Sequence, residues 1–168
     1  MDEKRVSESA VATSQVMMPQ DANPSGNVHG GVIMKLIDTA AGVVAVRHTR
    51  QNAVTASIDR LDFHHPVYVG DLLTLRASIN LVGTTSIEIG VRAEAEDLLT
   101  GKIRHTASAY LTFVALDSDG RPIEVPGLMI ETEEEIRRNR EACDRRELRL
   151  KEKRREKAHQ GRAIHGST

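Results

Sequence analysis

From residue 86 to 97 the chain reads SIEIGVRAEAED. Ile87, Ile89, Val91, Ala93 and Ala95 alternate with Glu88, Gly90, Arg92, Glu94 and Glu96. Alternation of period two over this length calls for a strand with one face in a core and a polar outer face. A strand of this kind needs neighbours, and the sequence supplies them. The run LLTLRASINLV alternates just before it, and the intervening GTT is short enough to close a hairpin. After DLLTG, the run KIRHTASAYLTFVAL alternates again and stops at the turn DSDGRP. NAVTASIDRLDF reads as a fourth strand, and VATSQVMMP, ended by Pro19, as a weaker fifth. One helix interrupts the series, from near His29–Gly31 to about Arg47. Strand, helix, then four strands in a row argues for an antiparallel sheet, since a parallel one needs alternating βα units. The expectation is an α+β domain: an antiparallel five-stranded sheet with the helix on one face.

With 168 residues there is room for one domain and a tail. We divide the chain into an N-terminal segment (1–10), a domain (11–130) and a charged helical tail (131–168). Charged residues make up 28% of the chain and crowd the tail, while the net charge of −1 gives no electrostatic ground for a nucleic-acid partner. The one cysteine, Cys143, excludes an intramolecular disulfide and a cysteine-based zinc site, and fits a reducing, cytoplasmic setting. No run approaches the roughly 18 apolar residues of a membrane span, and the polar opening MDEKRVSESAVATSQV lacks a signal-peptide core. Hence no membrane partner is expected. There is no tryptophan, and two phenylalanines and two tyrosines are the whole aromatic content. An aliphatic core this modest leads us to expect that subunit association supplies part of the burial.

The tail, ETEEEIRRNREACDRRELRLKEKRREK, carries acids early and bases late, matching a helix dipole. Glu133–Arg137, Glu134–Arg138, Glu141–Arg145 and Glu147–Lys151 stand at i,i+4 spacing, each pair worth a few tenths of a kcal/mol. Ile136, Cys143, Leu148 and Leu150 are too sparse for a core face. The reading is a solvated helix lying on the domain or on a neighbouring subunit. Acids interleaved with the bases argue against a nucleic-acid arm.

The central helix carries an aspartate, Asp38, in apolar surroundings. On a wheel of 100° per residue, Gly31, Met34, Ala41, Gly42 and Ala45 fall within about 60° of it, with Ile33, Leu36, Ala40 and Val43 opposite. The small residues predict that a partner backbone or a thin ligand comes close to the Asp38 face. A structural alternative is a salt bridge from Lys35, three residues earlier. At the helix start, NVHGG places two glycines where backbone N–H groups lack helical partners, a site suited to an oxyanion. Together these features suggest a carbonyl polarised by the helix end and a carboxylate acting on it or through a water.

The chain resembles the hotdog-fold acyl-CoA thioesterases, in the branch of the broad-range bacterial and brain-type acyl-CoA hydrolases. Three motifs carry the resemblance in order: PQDANPSGNVHGGVIMKLID, VTASIDRLDFHHPVYVGD and GTTSIEIGVRAE. It covers roughly residues 10–117 and implies a five-stranded antiparallel sheet wrapped around the long helix. It further implies dimers with active sites at the interface, assembled as trimers of dimers into a homohexamer. The activity implied is hydrolysis of an acyl-CoA to a carboxylic acid and free coenzyme A, with no metal and no cofactor beyond the coenzyme in the substrate. Asp38 is then the catalytic carboxylate, as general base or as nucleophile, and Asn23 its partner from the other subunit. Gly30 and Gly31 are the oxyanion donors through their backbone N–H groups, and His29 a helix-start residue or carbonyl contact. The coenzyme runs along Gly83, Thr84, Thr85 and Ser86, with Arg60, Lys102, Arg104 and the tail arginines as unranked partners for its phosphates. Asn23 also reads as a plain turn residue before Pro24, and GTTS as an ordinary hairpin loop.

Other readings fit less well. A hotdog hydratase pattern needs a histidine close behind Pro24, whereas His29 lies five residues on. A non-catalytic acyl-CoA-binding regulator needs a DNA-binding segment of roughly 50 residues, and some ten precede the first strand. His64 and His65 are adjacent and face opposite ways in an extended chain, which disfavours a metal site. No G-x-S-x-G elbow occurs for a serine hydrolase.

Overall fold

The computed structural model describes residues 2–165, with side chains to residue 158. Its elements are β1 (Lys4–Arg5), α1 (Val6–Ser9), β2 (Val11–Val16), α2 (Gly30–Thr49), β3 (Asn52–Phe63), β4 (Leu72–Val82), β5 (Ser86–Glu96), β6 (Ile103–Leu116), β7 (Leu128–Met129) and α3 (Glu133–His165). Five strands form one antiparallel sheet in the order β2-β4-β5-β6-β3. The short β1 pairs in parallel with β7, tying the two ends of the domain together. The strands and the long helix expected from the alternation are all present.

Helix α2 crosses the front of the sheet. Ile33, Ile37, Ala40, Ala41, Val44 and Ala45 are buried against Leu73, Leu75, Ile87, Ile89, Leu111 and Phe113. The wheel reading holds in part: Ile33 and Ala40, opposite Asp38, are buried, and Gly31 and Met34, on its side, are exposed. Val43, grouped with the bulky face, is instead exposed, and Ala41 and Ala45, grouped with Asp38, are fully buried. Small side chains let the chain's own sheet close on the helix, and that apolar contact outweighs the one the wheel favoured. Asp38 therefore stands at the margin of the buried stripe, half-buried.

Some apolar surface remains uncovered. Met34, Val43 and Val46 on α2, with Val54, Ile58 and Phe63 on β3, are each 40% to 48% exposed. β3 is an edge strand of 12 residues with one side unpaired. A long apolar edge is a liability unless another chain covers it.

Helix α3 lies across the back of the sheet, on the domain rather than away from it, and the contact is polar. Arg138 donates to Ser78 Oγ at 3.2 Å, Asn139 to the Asn80 carbonyl at 2.8 Å, and Arg145 to Glu88 at 2.7 Å. Arg149 pairs with Asp59, and the Arg145 guanidinium sits 3.7 Å from the centre of the Tyr110 ring. All these residues and the buried Ala142 fall on one stripe of the helix. The i,i+4 pattern holds for Glu134–Arg138 at 2.6 Å. Arg137 instead takes Glu141, and Arg145 leaves Glu141 for Glu88. A carboxylate 3% exposed has far more to gain from a counter-charge than one in water. Gly90 fits the same face: a Cβ there would lie 2.7 Å from Asn80 Nδ2, which donates to Glu88.

Candidate active site

Asp38 is positioned by a hydrogen bond that the sequence does not announce. Thr55 Oγ1, on β3, donates to Asp38 Oδ1 at 2.6 Å. Among the described residues Lys35 forms no ion pair with Asp38, so the salt-bridge alternative lapses. Oδ2 has no partner among the described residues, leaving one carboxylate oxygen open to a water or a substrate.

Thr55 reaches α2 by plain alternation, on the same side as Ala53, and two irregularities follow it in β3. The β3–β6 register shifts between Thr55 and Ser57 and again between Ile58 and Arg60. Each such bulge flips the side to which later residues point. Thr55 faces forward to α2. Asp59 faces back, where it accepts from Thr112 and Arg149. Phe63 faces forward again, its ring edge 3.6 Å from where a Cβ on Gly30 would stand. Simple alternation cannot place Thr55, Asp59 and Phe63 as they are; the bulges can.

The start of α2 is a closed cap. Its N-cap is His29, whose Nδ1 accepts from Gly31 N–H at 2.9 Å. The His29 carbonyl accepts from Val32 and Ile33. Gly31 N–H is thus engaged, while Gly30 N–H donates to no group among the described residues. Gly30 and Asp38 are eight residues apart, about 12 Å along the helix axis.

Asn23 is not brought to Asp38 within one chain. Its Oδ1 accepts from the backbone of Ser25 at 2.9 Å and of Asn27 at 3.2 Å, and its own N–H donates to the Asn27 carbonyl. The turn reading therefore holds within the chain, and the Nδ2 amide group stays unengaged among the described residues. The turn is anchored by Val28 N–H to the Val67 carbonyl and by Asn27 bridging to Tyr68.

The loop between β4 and β5 is a hairpin closed by Gly83 N–H to the Ser86 carbonyl at 2.7 Å. The Thr84 and Thr85 carbonyls are taken by Val125 and Ala115. Of the phosphate candidates, Arg60 pairs with Asp62, and Arg104 with the buried Asp71 at 2.5 Å. His65 Nδ1 donates to the His105 carbonyl at 2.9 Å, and the His64 ring lies 4.8 Å from that of His105. A groove of about 630 Å³ lies at the back, between α3 and the sheet, lined by Arg76, Arg92, Tyr110 and Arg145. Of the candidate residues it includes only tail arginines, Arg137, Arg138 and Arg145. Asp38, half-buried, and Thr55, exposed, lie away from it.

Residues 25–102 match the model of the thioesterase superfamily. An acyl-CoA thioester hydrolase of Bacillus subtilis, YkhA, itself uncharacterized, is 40% identical over 90% of this chain and 88% of its own length. The human cytosolic acyl coenzyme A thioester hydrolase is 39% identical over 89% of this chain, which spans 40% of that longer protein. An apo-hexameric acyl-CoA thioesterase superposes with a TM-score of 0.88 at 37% identity, covering 90% of this chain and 97% of the other. The acyl-CoA hydrolase of Staphylococcus aureus, solved with butyryl coenzyme A, coenzyme A and coenzyme A disulfide, gives 0.86 at 36% identity, covering 97% and 99%. Solved variants of that hydrolase have an aspartate, an asparagine or a threonine replaced by alanine.

Proposed function

The chain belongs to the thioesterase superfamily, and from that premise we infer that it is an acyl-CoA thioester hydrolase, releasing a carboxylic acid and free coenzyme A. Its α+β fold, a five-stranded antiparallel sheet packed on α2, is the hotdog fold. The observation that carries the mechanism is the hydrogen bond from Thr55 to Asp38. The hydroxyl fixes the carboxylate, and the free Oδ2 takes a proton from an attacking water. In the Staphylococcus hydrolase the three replaced positions are spaced by fifteen and seventeen residues, as are Asn23, Asp38 and Thr55 here.

The oxyanion is received at the α2 start, chiefly by Gly30, since Gly31 N–H serves the His29 cap. Gly30 and Asp38 of one chain are about 12 Å apart along the helix axis, too far for one thioester held at Gly30 to meet Asp38 of the same chain. General base is the reading we favour over nucleophile, because the open Oδ2 can hold a water. The hydratase reading loses its base, because His29 Nδ1 is committed to Gly31.

Two copies joined along the β3 edge would cover Val54, Ile58 and Phe63, and bring the Asn23 turn of one to Asp38 of the other. Trimers of such dimers would form the hexamer. No described helix is long and apolar enough to cross a membrane, and the name of the human relative supports a cytoplasmic location. We take 11–130 as the catalytic unit and 131–168 as its appendage.

Thiol release from a panel of acyl-CoA substrates tests the reading. Asp38→Asn should lower kcat by about 10² to 10⁴-fold, with unfolding temperature and oligomer unchanged. An inert wild type would remove the hydrolase reading, and full turnover by the variant would remove Asp38 from it.

A further inference from the structure

The hairpin loop at 83–86 stands at the same end of the sheet as the Asp38–Thr55 pair. Ser86 pairs with Val114 and Val114 with Val54, so the loop lies two strands from Thr55, roughly 10 Å at ordinary strand spacing. Its carbonyl oxygens, which would repel an anion, are turned inward onto Val125 and Ala115. Among the described residues the N–H groups of Thr84 and Thr85 donate to nothing, and neither do the hydroxyls of Thr84, Thr85 and Ser86. The loop thus presents donors without acceptors, the arrangement of an anion-binding nest.

A guanidinium lies over it. A Cβ on Gly83 would stand 3.3 Å from Arg146 Nη2 and 3.0 Å from Ser86 Oγ. Arg146 is half-buried and enters no ion pair or hydrogen bond among the described residues. Its neighbours on α3 are differently occupied: Arg145 holds Glu88 and Arg149 holds Asp59. These two pairs pin the helix on either side of Arg146 and hold its charge above the loop. The other phosphate candidates are poorly placed. Arg60 and Arg104 are paired with carboxylates, and Lys102 and Arg104 flank the far end of β5, about 30 Å along the strand.

We propose that Arg146, with the N–H groups of Thr84 and Thr85, binds a phosphate at the nucleotide end of the coenzyme, which makes α3 part of substrate recognition. The inference rests on the hydrolase reading and adds a residue outside the segment that carries the resemblance. Guanidinium suits the task because it donates in a fork to phosphate oxygens and stays charged at any working pH.

The test compares two substrates with the same acyl group, one on coenzyme A and one on pantetheine, which lacks the phosphates. Arg146→Gln should raise KM for the acyl-CoA about ten- to hundredfold, as for a lost charge-assisted bond, with kcat little changed. Its kinetics on the acyl-pantetheine should match wild type, and Arg146→Lys should recover part of the loss. Equal effects on both substrates, or none on either, would overturn the proposal. If wild type hydrolyses neither, the hydrolase reading fails on its own, and calorimetric titration with coenzyme A decides this one. Binding at least about tenfold weaker in Arg146→Gln supports it; equal binding, or no binding to wild type, overturns it.

Discussion

The front of the sheet holds α2 through Ile33, Ile37, Ala41 and Val44, side chains that make no directional bond. The back holds α3 through Arg145 on Glu88, Arg149 on Asp59 and Asn139 on the Asn80 carbonyl, with Ala142 as a small apolar contact. Apolar burial scales with area and tolerates any partner of fitting shape. Buried charge is favourable only with its counter-charge in place. The front consequently keeps spare apolar surface, at Val43, Val46, Ile58 and Phe63, which a second copy can cover. The back is closed by its own chain with matched charges, and it fixes where the α3 cations stand.

The largest stability effect should come from breaking the back. Arg145→Met leaves Glu88 buried without its counter-charge and should cost about 3–5 kcal/mol in urea unfolding. Adding Glu88→Leu should return most of it. A cost as small for the single variant as for the double would mean that Glu88 is not held dry, and the contrast between the faces would lapse. On the front, Thr55→Val keeps shape but removes the bond to Asp38. A hydrogen bond to a charged group is worth about 1.5–3 kcal/mol, so kcat should fall about ten- to hundredfold with stability nearly unchanged. Unaltered kcat would reduce Thr55 to packing.

The smallest effect concerns the seam where α2 ends. His48 is fully buried; its Nε2 donates to the Pro126 carbonyl at 2.9 Å and its Nδ1 has no partner. Burial, with Lys4 nearby, holds its pKa below the ordinary value despite the Pro126 bond. The folded ring stays neutral where the unfolded one gains a proton. Stability is therefore complete above pH about 6.5 and declines as pH falls from there towards the lowered folded value. His105, desolvated and facing Arg92 and His64, acts in the same sense. His48→Gln should flatten the slope of unfolding free energy between pH 7 and about 5.5 without abolishing it. An unchanged slope would place the titration elsewhere.

Much of this was legible in the residues. The alternation of 86–96 and its neighbours specified the sheet, and the glycine pair with Asp38 marked the helix that matters. Thr55 was hidden because nothing in its strand says which residue of α2 it will meet, and Asp59 because its direction depends on a bulge, and bulges leave no periodic trace. The places of Ala41 and Ala45 were misread because the wheel weighed side-chain size, while their fit to the sheet decided it. Glu88 looked like a solvated outer-face residue, since nothing local in a strand says that a helix some sixty residues later will cover it. Asn23 is a different case: its chemistry, as proposed, belongs to another chain.

That last point admits a direct measurement. Chains carrying Asp38→Asn and chains carrying Asn23→Ala, each nearly inactive alone, are co-expressed in equal amounts and co-purified through distinct tags. If each site takes Asp38 from one subunit and Asn23 from its partner, random pairing restores about a quarter of wild-type turnover. Turnover no higher than that of either variant alone would contradict a site shared between two copies.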